Sequence, residues 1–332
     1  MADVSIEDPI DVTVVIAAWQ AEASLEAAVA SALDQTGVTV EVVVVDDASM
    51  DGTGALAEAL AARHPTIRAI RLARNGGAAV ARNAALAEAR GRWVAVLDAD
   101  DRFLPGRLSR LVARGEADGL DVVLDDIRVA DTDPGGAAVE AGEPLVGHRW
   151  RRFGGPWRLG AYARANRPYA ARTNLGFLKP VILRAFLARH GLAYDPALRS
   201  SQDYMLMVRL LIAGARVGYE PAAGYLYIVR SGSLSGRVRP SAQRALMRAE
   251  ARLIAEAGPG LAAADRAGLA AHYRSLVAAR RTFHVFEALR RRRPGRALGV
   301  LVGAPALAPV ILVRVGESGL RRLLGLGRGR AR

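Results

Sequence analysis

Two hydrophobic runs in this chain end in carboxylates: Val42-Val43-Val44-Val45-Asp46-Asp47 and Trp93-Val94-Ala95-Val96-Leu97-Asp98-Ala99-Asp100-Asp101. A short apolar run of this kind reads as a buried strand, and ligands of open α/β sheets bind at the carboxyl ends of the strands. Five acids at one sheet edge suit a divalent cation and a nucleotide, because Mg²⁺ and Mn²⁺ take oxygen ligands and keep positions open for phosphate. Asp98-Ala99-Asp100 offers carboxylates two residues apart on extended chain, so one can reach a ribose and the other a metal. Asp46 and Asp47 can accept from a ribose or from a base ring N–H. Farther along, Asp203 in Ser200-Ser201-Gln202-Asp203-Tyr204 opens a predicted helix, where a negative charge is favoured. On its own it reads as a plain N-cap.

The elements that must position these acids follow from periodicity. Strands are expected over Val12–Ala18, Val40–Val45, Ile67–Leu72 and Trp93–Leu97. Helices are expected over Glu22–Leu33, from the Ser49-Met50-Asp51-Gly52-Thr53 turn to Arg63, and over Ala78–Ala89. Leu108–Arg114 and Leu120–Leu124 continue the alternation, which predicts a mostly parallel sheet covered on both faces. From Thr132 to Pro168 the chain is rich in Gly, Pro and Arg, with Trp150 and Trp157, and reads as an insertion beside the site. Leu175–Lys179, a helix over Pro180–His190 and another over Asp203–Ala213 follow. Val217–Tyr219 and Tyr225–Val229 read as closing strands, and Pro240–Arg290 as Ala- and Arg-rich helices.

Composition narrows the function classes. The 332 residues can bury a sizeable core. There is no cysteine, which excludes disulfides, thiolate metal sites and cysteine nucleophiles. The five histidines show no ligand spacing. Of 46 basic residues only Lys179 is lysine, so a single arginine carries little information. The net charge of +13 is concentrated at the end, where twelve arginines between Arg281 and Arg332 meet only Glu287 and Glu317. Such a tail points to an anionic surface. The uncharged stretch Ala297–Val313, flanked by arginines and kinked by Pro305 and Pro309, fits an interfacial helix better than a membrane crossing. The acidic N-terminus has no basic-then-apolar leader, and a cytoplasmic protein is expected. A nicotinamide-binding fold is disfavoured, because Ala17-Ala18-Trp19-Gln20-Ala21 lacks the glycine-rich turn.

Four motifs in order resemble the family 2 inverting glycosyltransferases of the GT-A fold. They are Val14-Val15-Ile16-Ala17-Ala18-Trp19, Val44-Val45-Asp46-Asp47-Ala48-Ser49-Met50-Asp51-Gly52-Thr53, Arg74-Asn75-Gly76-Gly77 followed by Ala81-Arg82-Asn83, and Leu97-Asp98-Ala99-Asp100-Asp101. The resemblance implies an α/β, Rossmann-like sheet flanked by helices with a helical C-terminal extension. It further implies a donor site with Ala17 at the end of the first strand, Asp47 recognising the base, Asp46 supporting that loop, Arg82 near the diphosphate and Asp98 near the ribose. Asp100 would carry Mn²⁺ or Mg²⁺, and Asp203 would be the general base, with Gln202 standing where relatives carry Glu. Where many relatives place a histidine after the last strand, this chain has Arg230, which could pair with the diphosphate. The Gln-x-x-Arg-Trp motif and the membrane helices of processive members are absent, implying a single addition.

Asn174-Leu175-Gly176-Phe177-Leu178-Lys179-Pro180, Gln202-Asp203-Tyr204, Gly224-Tyr225-Leu226-Tyr227 and Gly232-Ser233-Leu234-Ser235 are similar to the succinoglycan-type exopolysaccharide glucosyltransferases. The expected donor is UDP-glucose and the expected acceptor a glycan or polyprenyl-linked oligosaccharide. The basic tail would rest on anionic lipid at the inner face of the cell membrane, and no nucleic-acid partner is expected. The expected organisation is a glycosyltransferase domain over 1–238, with a nucleotide-binding half over 1–126 and an acceptor half over 127–238, then a helical basic region over 239–332. The rivals are a nucleotidyltransferase, which would need a glycine-rich loop with a lysine after the first strand, and a non-enzymatic membrane binder.

Overall fold

Valine and isoleucine pack well on a pleated surface and lose little further side-chain freedom there. They fill β1 (Val12–Ala18), β2 (Val40–Asp46) and β4 (Trp93–Asp98), whose side chains are nearly all buried. Strands covered on both faces show no polar alternation, which is why these segments read as unbroken apolar runs. The computed structural model describes residues 9–131, 142–147, 157–168, 175–229 and 240–302. Within them, β3 (Ile67–Arg71), β5 (Arg102–Phe103), β6 (Val122–Asp131), β7 (Val181–Leu183) and β8 (Val217–Val229) complete an eight-stranded sheet in the order β3-β2-β1-β4-β7-β6-β8-β5.

β1 runs parallel to both β2 and β4, and β2 to β3. The chain therefore leaves β1 on one side and returns on the other. That reversal opens a crevice at the carboxyl ends of β1 and β4. Ala17 sits at its floor, paired with Val45 on one side and Asp98 on the other. The helices α1 (Leu25–Leu33), α2 (Thr53–Arg63) and α3 (Ala78–Glu88) make the crossovers, and α4 (Arg107–Asp118) leads to β6.

β7 departs from expectation. Val181-Ile182-Leu183 precedes α6 (Arg184–His190) as a strand instead of beginning the helix. It is held on both edges, antiparallel to β4 and to β6, so tertiary pairing overrides helical periodicity. It also closes the gap between the parallel β1–β4 block and the parallel β6–β8 pair, making the sheet mixed. The two expected closing strands are one, β8. Inside the expected insertion, α5 (Leu159–Ala165) forms.

The C-terminal helices α8 (Pro240–Ala257) and α9 (Ala263–Arg290) are tied to α7 (Gln202–Ile212), which carries Asp203. The Tyr204 hydroxyl lies 3.2 Å from Glu250 Oε1, and His272 Nδ1 lies 2.8 Å from the same oxygen. All three residues are buried. Gly160 of α5 and Gly268 of α9 touch backbone to backbone, so a Cβ at position 268 would collide with Gly160. The last described helix, α10 (Pro294–Val302), packs Ala297 against Val285 and Ala288 and leaves Leu298 and Val302 exposed. Among the described residues no helix is long and apolar enough to cross a membrane. Residues 303–313 of the expected interfacial stretch lie outside the described residues.

Candidate active site

The loops leaving β1 and β2 brace each other. Asp47 N donates to Ala18 O (2.8 Å), Gln20 N to Ser49 Oγ (2.9 Å) and Ala21 N to Thr53 Oγ1 (2.8 Å). Gln20 and Ala48 adopt positive φ of 50° and 55°, a conformation that non-glycine residues reach only when their surroundings impose it. Asp46 supplies part of that constraint. It is buried, its Oδ1 accepts from Ser49 N (3.0 Å), and its Oδ2 lies 3.3 Å from Arg71 Nε.

Asp47 holds a different loop. Its Oδ1 accepts from Gly76 N (2.7 Å), and its Oδ2 from Gly77 N (2.7 Å) and Asn75 Nδ2 (2.9 Å). The Arg74-Asn75-Gly76-Gly77 motif is thus a cradle for this carboxylate, and Gly77 meets the geometry with φ of +85°. The loop hands the chain to α3, which carries Arg82 inward. Next to it, Asn83 makes reciprocal 2.9 Å bonds with the backbone of Tyr194, and the Tyr194 ring lies 5.2 Å from the Arg82 guanidinium.

Arg82 belongs to a closed ring of four charges. One guanidinium nitrogen lies 2.5 Å from Asp98 Oδ1 and another 2.9 Å from Asp203 Oδ1. Lys179 Nζ completes the ring, 2.8 Å from Asp98 Oδ2 and 2.9 Å from Asp203 Oδ2. Each acid is held by both cations, and the four formal charges cancel. Burial alone would push Asp98 up, but Lys179 and Arg82 outweigh it and hold the carboxyl well below the usual range. Burial likewise works against the charge of Lys179 and of Arg82. In both cases Asp203 and Asp98 reverse that effect and push the group above its ordinary value. Gln202 borders the ring, with Oε1 3.3 Å from Arg82 and Nε2 donating to Leu198 O.

Asp203 is the second residue of α7, so it is not the N-cap; Ser201 precedes the helix with φ of 58° and makes no side-chain cap. The carboxylate faces the ring instead. Asp101 follows β4 at the end of the Asp98–Asp101 turn. Its Oδ2 accepts from the Tyr225 hydroxyl (2.7 Å) and its Oδ1 from Ile228 N (2.9 Å). Burial first, then Asp98 and Asp100, push its carboxyl well up. Tyr225 also accepts from Asp98 N at 3.1 Å, so β8 clasps both ends of the Asp98–Asp101 turn.

Behind the ring, Arg107 and Asp125 form a fully buried bidentate pair with bonds of 2.9 and 2.7 Å. Arg107 also donates to the Lys179 carbonyl at 2.7 Å, which fixes the segment that carries the lysine. Gly224 leaves room for this pair, since a Cβ there would come within 2.6 Å of Arg107 Cγ and of Asp125 Oδ2.

Asp98 is thus covered by two cations and Asp101 by Tyr225 and Ile228, and half-buried Asp100 lies between them on the same turn. Among the described residues no three metal-ligating side chains converge. A carboxylate oxygen such as those of Asp100 is a ligand type that Mg²⁺ and Mn²⁺ accept. Arg230 and Trp150 lie outside the described residues. Trp157 packs its ring against Tyr162 and Tyr219. Lys179 and Arg107 were not among the expected site residues; the signals for Lys179 were the rarity of lysine and its place in the motif from Asn174 to Pro180.

Comparison with known proteins fits this geometry. The family model described as Glycosyl transferase family 2 matches residues 13–167. Succinoglycan biosynthesis protein ExoU of Rhizobium meliloti (strain 1021) is 35% identical over 310 residues, covering 92% of this chain and 86% of ExoU. The chain belongs to glycosyl transferase family 2. Succinoglycan biosynthesis protein ExoO of the same organism is 41% identical over 229 residues, 69% of this chain, and the match spans 64% of the length of ExoO. Among solved structures, S. aureus TarS 1-349 in complex with UDP-GlcNAc aligns with a TM-score of 0.58 at 16% identity, covering 88% of this chain and 90% of that one. Mannosyltransferase PcManGT from Pyrobaculum calidifontis, in complex with GDP-Man and Mn²⁺, aligns with a TM-score of 0.58 at 19% identity, covering 97% and 82%. These identities speak to fold alone, and the fold of this family 2 chain is GT-A.

Proposed function

We propose that this family 2 chain transfers a hexose, with inversion, from a nucleotide sugar to a glycan or polyprenyl-linked acceptor during exopolysaccharide assembly. UDP-glucose is the donor we favour, and one sugar is added per encounter. The observation that carries the reading is the meeting of Asp98 from β4 and Asp203 from α7 on one pair of cations at the switch-point crevice. Relatives named for succinoglycan biosynthesis support the setting, and fold neighbours bound to UDP-GlcNAc or to GDP-Man and Mn²⁺ support the donor class.

The reaction is a single displacement. The acceptor hydroxyl oxygen forms a bond to the anomeric carbon while the bond from that carbon to the diphosphate oxygen breaks, its electron pair leaving with the diphosphate. The hydroxyl proton passes to the Asp203 carboxylate. In this reading Asp98 receives the ribose, and Ala17 lets the nucleotide approach the strand ends. Asp46 braces the loop beside the base. Asp47 meets the base through the lone pair of Oδ1 that its loop bond leaves over. Arg82, with Arg230, faces the diphosphate. A Mn²⁺ or Mg²⁺ ion held by Asp100, when bound, offsets charge on the departing diphosphate.

Calorimetry with UDP-, GDP- and dTDP-sugars, in Mn²⁺ and in EDTA, tests the donor class. One donor is expected to bind, with metal strengthening it. Replacing Asp100 with Ala is expected to lower turnover by about a hundredfold or more, the order that several kcal/mol of lost charge stabilisation produces. Undiminished turnover in that variant would remove Asp100 from the metal site.

The same reading sets the protein on the inner face of the cell membrane. Arg291, Arg292, Arg293 and Arg296 are exposed around α10, beside exposed Leu298 and Val302. Each basic residue near an anionic surface contributes about 1 kcal/mol, and the attraction is screened by salt. Cosedimentation with phosphatidylglycerol vesicles is expected at low salt. It should fall steeply in 0.5 M salt (about threefold above physiological ionic strength) or when the four arginines become serine. Binding indifferent to both would refute the electrostatic dock.

A further inference from the structure

We infer that Lys179 is a donor-operated cover on Asp203: with the donor site empty it pairs with the base, and the arriving diphosphate draws it away. The inference rests on the transfer reading above and adds to it a residue and an order of events.

Three observations carry it. Both oxygens of Asp203 are taken, Oδ1 by Arg82 and Oδ2 by Lys179. A carboxylate with a cation on each oxygen is poorly placed to accept a hydroxyl proton, so one cation must move before transfer. The two acids and two cations of the ring balance each other's formal charge. A diphosphate entering between Asp98 and Asp203 adds negative charge to a buried neutral cluster, and the cations are the groups able to answer it. Arg82 is also short of one partner: its Nε is buried and makes no hydrogen bond among the described residues.

Lys179 is the cation built to move. An ammonium has three rotatable donors on a flexible stem, whereas a guanidinium presents a planar fork. The Lys179 backbone is pinned by Arg107 at its carbonyl, so a change of partner is a swing of the side chain alone. Asp98 already shares the ammonium with Asp203, which gives that swing a pivot. The consequence is ordered binding. Asp203 is uncovered only after the donor is seated, so an acceptor hydroxyl meets an available base only beside a bound donor.

Lys179 is the only lysine, so protein labelled with [¹⁵N]lysine carries a single Nζ signal, and its 7% side-chain exposure slows proton exchange. Titration with the donor identified by calorimetry, in Mg²⁺, is expected to move that signal with the calorimetric Kd. Lys179→Gln is expected to raise the donor Kd about tenfold or more, as loss of a charged hydrogen bond does. Lys179→Arg should recover most of the affinity. A signal that stays in place at saturating donor overturns the inference, as does a Lys179→Gln variant that binds donor like the parent while only its melting temperature falls. If no nucleotide sugar binds the parent protein, the transfer reading itself fails, which calorimetry reports independently of the lysine signal.

Discussion

Replacing Asp203 with Asn is expected to lower kcat by about 10²–10⁴-fold, the range a positioned general base supplies, while donor binding tightens. The two effects have different causes. Asn cannot take the acceptor proton, so the displacement loses its proton sink. It also cannot neutralise Arg82 and Lys179, which then face Asp98 alone and present surplus positive charge to the diphosphate. A residue that merely supported α7 would lower melting temperature and donor affinity together. The check is kcat and donor Kd on the same sample with a thermal melt. Unchanged kcat would remove Asp203 from the chemistry.

Arg107→Leu is expected to be the most damaging single change to stability, at about 3–5 kcal/mol, or roughly ten degrees in Tm. It leaves Asp125 charged and fully buried without its partner, and it strips the Lys179 carbonyl of a donor. Even with Arg107 present, burial pushes the Asp125 carboxyl up more than the guanidinium pulls it down. The sign of the pH dependence follows. A buried carboxyl with a raised folded-state value contributes stability below its unfolded value and loses it as pH rises through the folded one. The deficit of Arg107→Leu should therefore be larger at pH 8 than at pH 5. The double variant with Asp125→Leu should recover much of the loss, since replacing both partners of a buried pair is often tolerated. Equal deficits in the single and double variants would contradict this account of the pair.

The acids of the site were legible in the sequence because parallel strands deliver them to one edge, and apolar runs announce such strands. Asp46, Asp98 and Asp100 were singled out that way, and Asp203 through the resemblance. Among the cations, Arg82 came only through the Ala81-Arg82-Asn83 resemblance, and Lys179 and Arg107 were not expected at the site. In a chain with 46 basic residues, one of them lysine, the types of Arg82 and Arg107 say nothing, and only packing distinguishes a buried arginine from a solvated one. Lys179 reaches the ring because β7 places it there, and a three-residue antiparallel strand has no period to read. The hydroxyl partner of Asp101, Tyr225, is 124 residues away, a distance that no local pattern spans. The tie from Tyr204 to Glu250 and His272 was hidden for the same reason, and it joins the helix of the base to the C-terminal helices.

The most direct test of the account is release of UDP from UDP-glucose by the purified protein with a glycan or polyprenyl-linked acceptor, in Mn²⁺ and in EDTA, beside Asp203→Asn. The account predicts metal-dependent release by the parent protein, near-complete loss in Asp203→Asn, and donor still bound by that variant. Release that persists in Asp203→Asn, or a parent protein that binds no nucleotide sugar with metal present, would contradict it.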